Sequence, residues 1–434
     1  MQKKTLVIIS PYNTRSGYGQ HSRIVIRSIL NNPSITEKYD IKLLSLKWGN
    51  TPFNALDSII PKDKELLDIN LPGNQLNFQP DVSIHITIPS EFQRIGKYSI
   101  GITAGTEASL APPQFVAGCN QVDLVITPTE FTKQILIGTK VDKKDGDKVV
   151  ETIEVAKPIE VLFEGVDTNI FNKNDVIQSR LSEKIDSIKE SFAFLCCGMW
   201  VSGNLGQDRK DIGMVVKTFL DTFKQKSLKN RPALILKTSG AGFSITERDQ
   251  IIDKIQRIQE LVKQEGFSGN LPSIYLINGD LTDSEMNELY NHPKVKAMVS
   301  FTKGEGFGLP LLEFTTTGKP IICSGYSGPL DFLNPDFCQL LPGKLTKIDP
   351  SASNEWLPKE ADWFTVNYTF AGKIMNDMVE KYDKYLEKSR KHIKFTKDNF
   401  SLAEMGVKLG ELLDRYIPEQ PKQLSIKLPQ LKKI

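Results

Sequence analysis

Short apolar runs, each followed by a polar turn and then an amphipathic stretch, recur along almost the whole chain, and this alternation limits the fold more than any other feature. Residues 5–9, 41–46, 81–86, 98–103 and 123–127 read as strands in the first half. Residues 192–197, 233–237, 273–277, 295–300 and 319–323 repeat the plan in the second. Continuous apolar strands separated by helices predict parallel sheets covered on both faces, an α/β architecture. A chain of 434 residues exceeds one core, so two α/β domains facing across a cleft are expected. The expected division is 1–171 for the first domain and 172–400 for the second, then a helix over 401–417 and a basic tail over 418–434. Thr282 with Glu285, and Ser401 with Glu404, have the spacing of capping boxes.

In open parallel sheets ligands bind beyond the carboxyl ends of the strands. Gly17, Gly19, His21, His85, Thr103 and Glu107 each lie at or just past such an end. Gly17 and Gly19 are expected in a turn between the first strand and a helix carrying Ile24, Ile26, Ile29 and Leu30. Ser22 stands where a dinucleotide fingerprint needs its third glycine, so that motif is not met. The richest stretch is 300–324, SFTKGEGFGLPLLEFTTTGKPIICS, where Glu305 and Glu313 bracket Gly306, Gly308 and Pro310 between two apolar strands. Proline suits a first helical position, which puts Glu313 in the first turn and Glu305 in the loop before it. The glycines let backbone approach a ligand at a helix N-terminus, an arrangement that seats an anion. Arg209 and Lys210 also precede a helix, where cations oppose the dipole, so their position asks for an anion.

A net charge of +3 excludes a strong electrostatic case for nucleic acid. The opening MQKKTLVIIS lacks the length and cleavage pattern of a signal peptide, and no run reaches membrane-spanning length, so a cytoplasmic protein is expected. Cys119, Cys196, Cys197, Cys323 and Cys338 lie mostly in apolar runs without Cys-x-x-Cys spacing, as reduced core thiols do. Residues 138–157 turn charged and read as a surface excursion or hairpin. Their Asp145 and Asp147 are surrounded by lysines and fit a solvated loop better than a metal site. The segment 370–416 reads as helical, and the proline- and lysine-containing end as a solvated or loosely docked tail. An NTPase is disfavoured, because Gly318 and Lys319 are followed by Pro320.

The glutamates of GEGFGLPLLEFTTTGKPII resemble the paired glutamates of glycosyltransferase family 4, retaining and metal-independent enzymes of the two-domain GT-B fold. SGYGQHSR resembles the family's glycine loop, VITPTEFTKQ its marker at the end of the first domain, VLFEGVDTNIF the interdomain segment and QDRKDI the basic donor site. The resemblance implies two Rossmann-like, doubly wound domains with a C-terminal helix crossing back to the first. It implies that Arg209 and Lys210 contact a donor diphosphate, that Glu313 holds the ribose, and that Glu305 holds the transferring sugar. The backbone of Gly306, Phe307, Gly308 and Leu309 would complete that site, with Gly17 and Gly19 approaching the phosphates from the first domain. His85 would match a histidine near the reaction centre. Neither cofactor nor metal is implied beyond the nucleotide-sugar substrate. One departure stands out: Gly198 is followed by Met199, Trp200 and an inserted SGNLGQ where relatives place an arginine, so Arg209 or Lys237 would have to supply that charge.

The acceptor implied is a saccharide or glycan hydroxyl. A transferase acting on hydroxymethylated bases in DNA, a sugar-nucleotide epimerase of the same fold and a binding protein without turnover are the alternatives.

Overall fold

The computed structural model describes residues 3–146, 148–174, 179–240 and 244–419. Asp147, and the tail from residue 420 on, lie outside the described residues.

The first half contains β1 (Lys4–Ser10), β2 (Tyr39–Ser45), β3 (Val82–Ile86), β4 (Tyr98–Ile102), β5 (Leu124–Thr127), the hairpin β6 (Val141–Asp145) and β7 (Lys148–Ile153), and β8 (Ile159–Val161). Six of these form one sheet in the order β2-β1-β3-β4-β5-β8, every pair parallel. β3 is buried at all of its positions, as a strand covered on both faces must be. The second half contains β9 (Ala193–Cys197), β10 (Ala233–Lys237), β11 (Ile274–Ile277), β12 (Val295–Ser300), β13 (Ile321–Ser324), β14 (Gln339–Leu341), β15 (Gly343–Lys347) and β16 (Asp362–Val366). Its sheet runs β11-β10-β9-β12-β13-β14, again parallel throughout.

Strand order reverses between β1 and β3 in one sheet and between β9 and β12 in the other. A crevice opens at each reversal, because the connections on its two sides leave in opposite directions. The loops after β1, β9 and β12 are therefore the ones the fold offers to a ligand. Strand ends fall within a residue or two of those expected from the apolar runs. The antiparallel pair β15–β16 was not anticipated. It reaches the first half, where Ser109 N–H donates to Asp362 O at 2.8 Å.

The helix Leu402–Tyr416 crosses back to the first half as expected. Its Gly406 carbonyl accepts from Asn32 Nδ2 at 2.6 Å, and Asp414 pairs with Lys38 at 2.6 Å. Gly406 is needed there, since a Cβ would lie 2.7 Å from the Ser28 carbonyl of helix Gly17–Leu30. Thr282 and Glu285 complete a capping box. Ser401 caps its helix through the Glu404 amide alone. The cysteines are free, all but Cys197 fully buried. No described helix is long and apolar enough to cross a membrane.

Candidate active site

The loop after β9 returns to the sheet through a turn in which Asp211 N–H donates to Asp208 O at 3.0 Å. Arg209 and Lys210 are the two central residues of that turn, just before the helix Ile212–Phe223. The loop after β12 runs alongside and carries Gly304 and Glu305. Arg209 Nη1 donates to Gly304 O at 2.8 Å and to Glu305 Oε2 at 3.1 Å. Lys210 Nζ donates to Glu305 Oε1. The anion that the two cations ask for is therefore supplied by Glu305 itself.

Burial alone would raise the Glu305 pKa, but Lys210 and Arg209 outweigh it and hold the carboxyl at about 2. Burial lowers the pKa of Lys210, with Glu305 opposing it. Burial also acts to lower Arg209, but Glu107 and Glu305 more than reverse it and leave Arg209 raised. Glu107 comes from the first half, after β4, and stands 3.6 Å from Arg209. Ser327 Oγ accepts from the Glu305 amide at 3.0 Å and fixes the loop from below.

Glu313 differs from its expected placement. The helix begins one residue earlier than expected, at Leu309, after Gly308 in a left-handed conformation with φ 102°. Pro310 is thus its second residue, and Glu313 lies beyond the first turn. Glu313 is buried, and Tyr290 donates its hydroxyl proton to Oε2 at 2.9 Å. Burial pushes its pKa well above the ordinary carboxyl value, with Asp283 adding to the rise. Phe307 turns its ring into the core, 5.0 Å from Phe332 between centroids. Lys237, at the end of β10, donates to Gly279 O at 2.8 Å. Burial lowers its pKa.

On the opposite wall, Ser16 caps helix Gly17–Leu30 through the Gly19 amide, so both glycines belong to the first helical turn and not to a turn before it. Gly17 lines the cleft with open space where a Cβ would stand. Gly19 faces inward, where a Cβ would collide with the Thr14 carbonyl. Tyr18 stacks on Trp48 at 4.3 Å and shares a hydrogen bond with Thr103 Oγ1 at 3.0 Å. Arg15 reaches across the cleft mouth to Asp280.

These walls enclose a cleft of about 1090 Å³ that brings together Gly17, Arg209, Lys210, Lys237, Glu305, Gly306, Phe307, Gly308, Leu309 and Glu313. His85 and Gly19 are not among its lining residues. His85 is buried against Phe92, and burial lowers its pKa to about 4, so it is neutral near pH 7. His21 points its Nδ1 at Glu164 Oε1, 3.0 Å away. Among the described residues no group of three or more His, Cys, Asp or Glu is placed to hold a metal ion.

Sequence reasoning missed how closely the halves meet. A Cβ on Gly304 would strike the Glu107 carbonyl, and one on Gly306 the Ala104 carbonyl. The Gly306 carbonyl accepts from Thr129 Oγ1 at 2.9 Å. Gly306 is small for the sake of the contact between the halves. Tyr290 and Ser327 were also missed, since each supports a glutamate from a distant part of the chain. The acids flanking the cation pair in QDRKDI were the signal, unused, that this turn is anchored at both ends.

No family model matches the chain, and no curated protein matches it. Solved structures do. A sucrose-phosphate synthase from Thermosynechococcus elongatus superposes with a TM-score of 0.59 at 10% identity, over 95% of this chain and 99% of that one. A glycosyltransferase from Rickettsia africae gives 0.57 at 15% identity, over 97% and 100%. The Anabaena protein HepE in complex with UDP-glucose gives 0.55 at 12%, over 95% and 100%. At these identities the likeness is one of fold, and the fold is the two-domain GT-B architecture.

Proposed function

We propose that this protein is a nucleotide-sugar-dependent glycosyltransferase of the family 4 type. It transfers a sugar from a UDP-sugar to a saccharide or glycan hydroxyl, with retention at the anomeric carbon, without a metal ion and in the cytoplasm. The observation that carries this reading is the convergence of Arg209 and Lys210 on Glu305 inside the cleft, with Glu313 farther along the same wall. UDP is the first choice of nucleotide because HepE, which shares the fold, was solved with UDP-glucose.

The chemistry follows from charge. As the bond between the anomeric carbon and the diphosphate oxygen lengthens, negative charge gathers on the diphosphate and positive charge on the sugar ring. Preorganised cations in a cleft shielded from water stabilise the leaving group, usually the largest catalytic term. Arg209 and Lys210 occupy that place, and Glu305, freed from part of its pairing, holds sugar hydroxyls. The acceptor oxygen forms its bond on the face the diphosphate leaves, and the acceptor proton passes to the departing phosphate oxygen. Glu313 receives the ribose, and Gly17 faces the phosphates.

Calorimetry against UDP-, GDP- and ADP-sugars tests donor binding, and NMR of the product's anomeric centre tests the transfer. Binding of a UDP-sugar followed by transfer with retained configuration is expected. Inversion at the sugar 2-position would make the protein an epimerase, and binding without turnover would remove the enzyme altogether.

A further inference from the structure

The turn that presents Arg209 and Lys210 is held from beneath by Lys303, with Tyr368 beside it. Lys303 is 0% exposed, and so is Asp211, the residue that ends the turn. Lys303 Nζ lies 3.2 Å from Asp211 Oδ2 and donates to Thr365 Oγ1 at 3.0 Å, with the Trp363 ring centroid 5.6 Å away. Tyr368 donates its hydroxyl proton to the same Asp211 Oδ2 at 2.6 Å. Asp211 has φ 52°, a left-handed conformation unfavourable for a residue with a Cβ, and its side chain does not cap the helix it precedes. Something outside the turn must maintain that geometry, and the buried Lys303 ammonium and the half-buried Tyr368 phenol are what its carboxylate meets.

The main chain of Lys303 grips the other side. Its N–H donates to Arg209 O at 2.8 Å, and its carbonyl accepts from Phe364 N–H at 2.9 Å. One residue thus ties both the middle and the end of the turn to β16, and the next two residues of its own loop are Gly304 and Glu305, the partners of Arg209. Asp208, at the start of the turn, accepts from the Ile212 amide at 3.3 Å.

We infer that Lys303 is a positioning residue for the donor diphosphate: through Asp211 and the Arg209 carbonyl it sets the directions in which Arg209 and Lys210 present their charges. The inference rests on the reading of those two residues as diphosphate contacts. Its role is to hold the cation pair, not to touch the donor. It also explains a lysine at zero exposure beside a polar cleft, where burying a charge is unfavourable unless a fixed partner is gained.

The test uses the full chain with Lys303→Met and with the double variant Lys303→Met/Asp211→Asn. The single variant strands a buried carboxylate and is expected to fold poorly, whereas the double variant leaves no unpaired charge. Calorimetry then compares uridine with UDP, which share every contact except those to the diphosphate. In the folded double variant uridine binding is expected to stay within about twofold, while UDP weakens about tenfold, the loss for misaligned charged hydrogen bonds. A purely structural role would lower stability and leave the ratio of the two constants unchanged, and that result overturns the inference. Failure of the unaltered protein to bind either compound would remove the donor-site reading instead. A crystal structure of the double variant then decides: retention of the 3.1 Å Arg209–Glu305 contact refutes the positioning role, and its loss supports it.

Discussion

Replacing Glu305 by glutamine keeps the volume and removes the charge, so it isolates what the carboxylate does for its two cations. A pKa held at about 2 instead of 4.5 corresponds to about 3 kcal/mol of native-state stabilisation. Breaking one side of a buried ion pair costs about 3–5 kcal/mol. The lower end applies here because Glu107 still stands 3.6 Å from Arg209. For a cooperative unit the size of the second half, a loss of that size lowers the melting temperature by about 6 °C. The sign follows the depressed pKa: the stabilisation is present above the unfolded value of 4.5 and is lost as pH falls through about 2. The gap between wild type and Glu305→Gln should therefore narrow in acid. On the proposed donor-site reading UDP would supply a new anion to Arg209 and Lys210, so it should raise the melting temperature of the variant more than that of the wild type, while sugar transfer falls. Scanning fluorimetry with and without UDP, beside a transfer assay, reads all of this. A variant that melts less than about 1 °C below wild type, or that gains no more from UDP than wild type does, refutes the assignment of Glu305 as resident counter-ion.

Glu313→Gln should weaken UDP binding about five- to tenfold in calorimetry through a lost hydrogen bond to the ribose. It should leave the melting temperature unchanged or raised, because burial already disfavours the carboxylate. Asp208 has its pKa raised by burial, with Asp211 adding to the rise, from 3.8 to about 6. Its contribution is present below pH 3.8 and lost as pH rises through about 6, so Asp208→Asn should flatten the pH dependence of denaturant midpoints across that window. Gly304→Ala places a Cβ against the Glu107 carbonyl. It should cost about 1–3 kcal/mol or part the halves, seen as lower melting or a larger radius of gyration in X-ray scattering, together with lost transfer activity.

What could be read from the chain was what lies close together in it. The apolar runs fixed most strands because a strand buried on both faces is mostly apolar, as β9 is. Glu305 and Glu313 could be singled out because the glycines and proline between them have local backbone consequences. Contacts across the fold left weaker traces. Nothing near Lys303 announces that Asp211 and Tyr368 will meet its ammonium. The pair β15–β16 alternates too weakly to stand out, since Gly343–Lys347 is largely exposed. The start of helix Leu309–Thr315 was misplaced by one residue because the left-handed Gly308 supplies the entry and leaves Pro310 in second place.

The glycines at the seam have a consequence for how the sequence can vary. A side chain at 304 or 306 is barred by a carbonyl belonging to the other half, and Gly105 sits at φ 106° with a would-be Cβ 2.6 Å from Gly306 Cα. Each half is therefore part of the selective environment of the other. A substitution at any of the three becomes tolerable only after the backbone opposite has receded, so the seam should change by paired steps, and grafting a second half from a relative onto this first half should fail unless residues 104–107 travel with it.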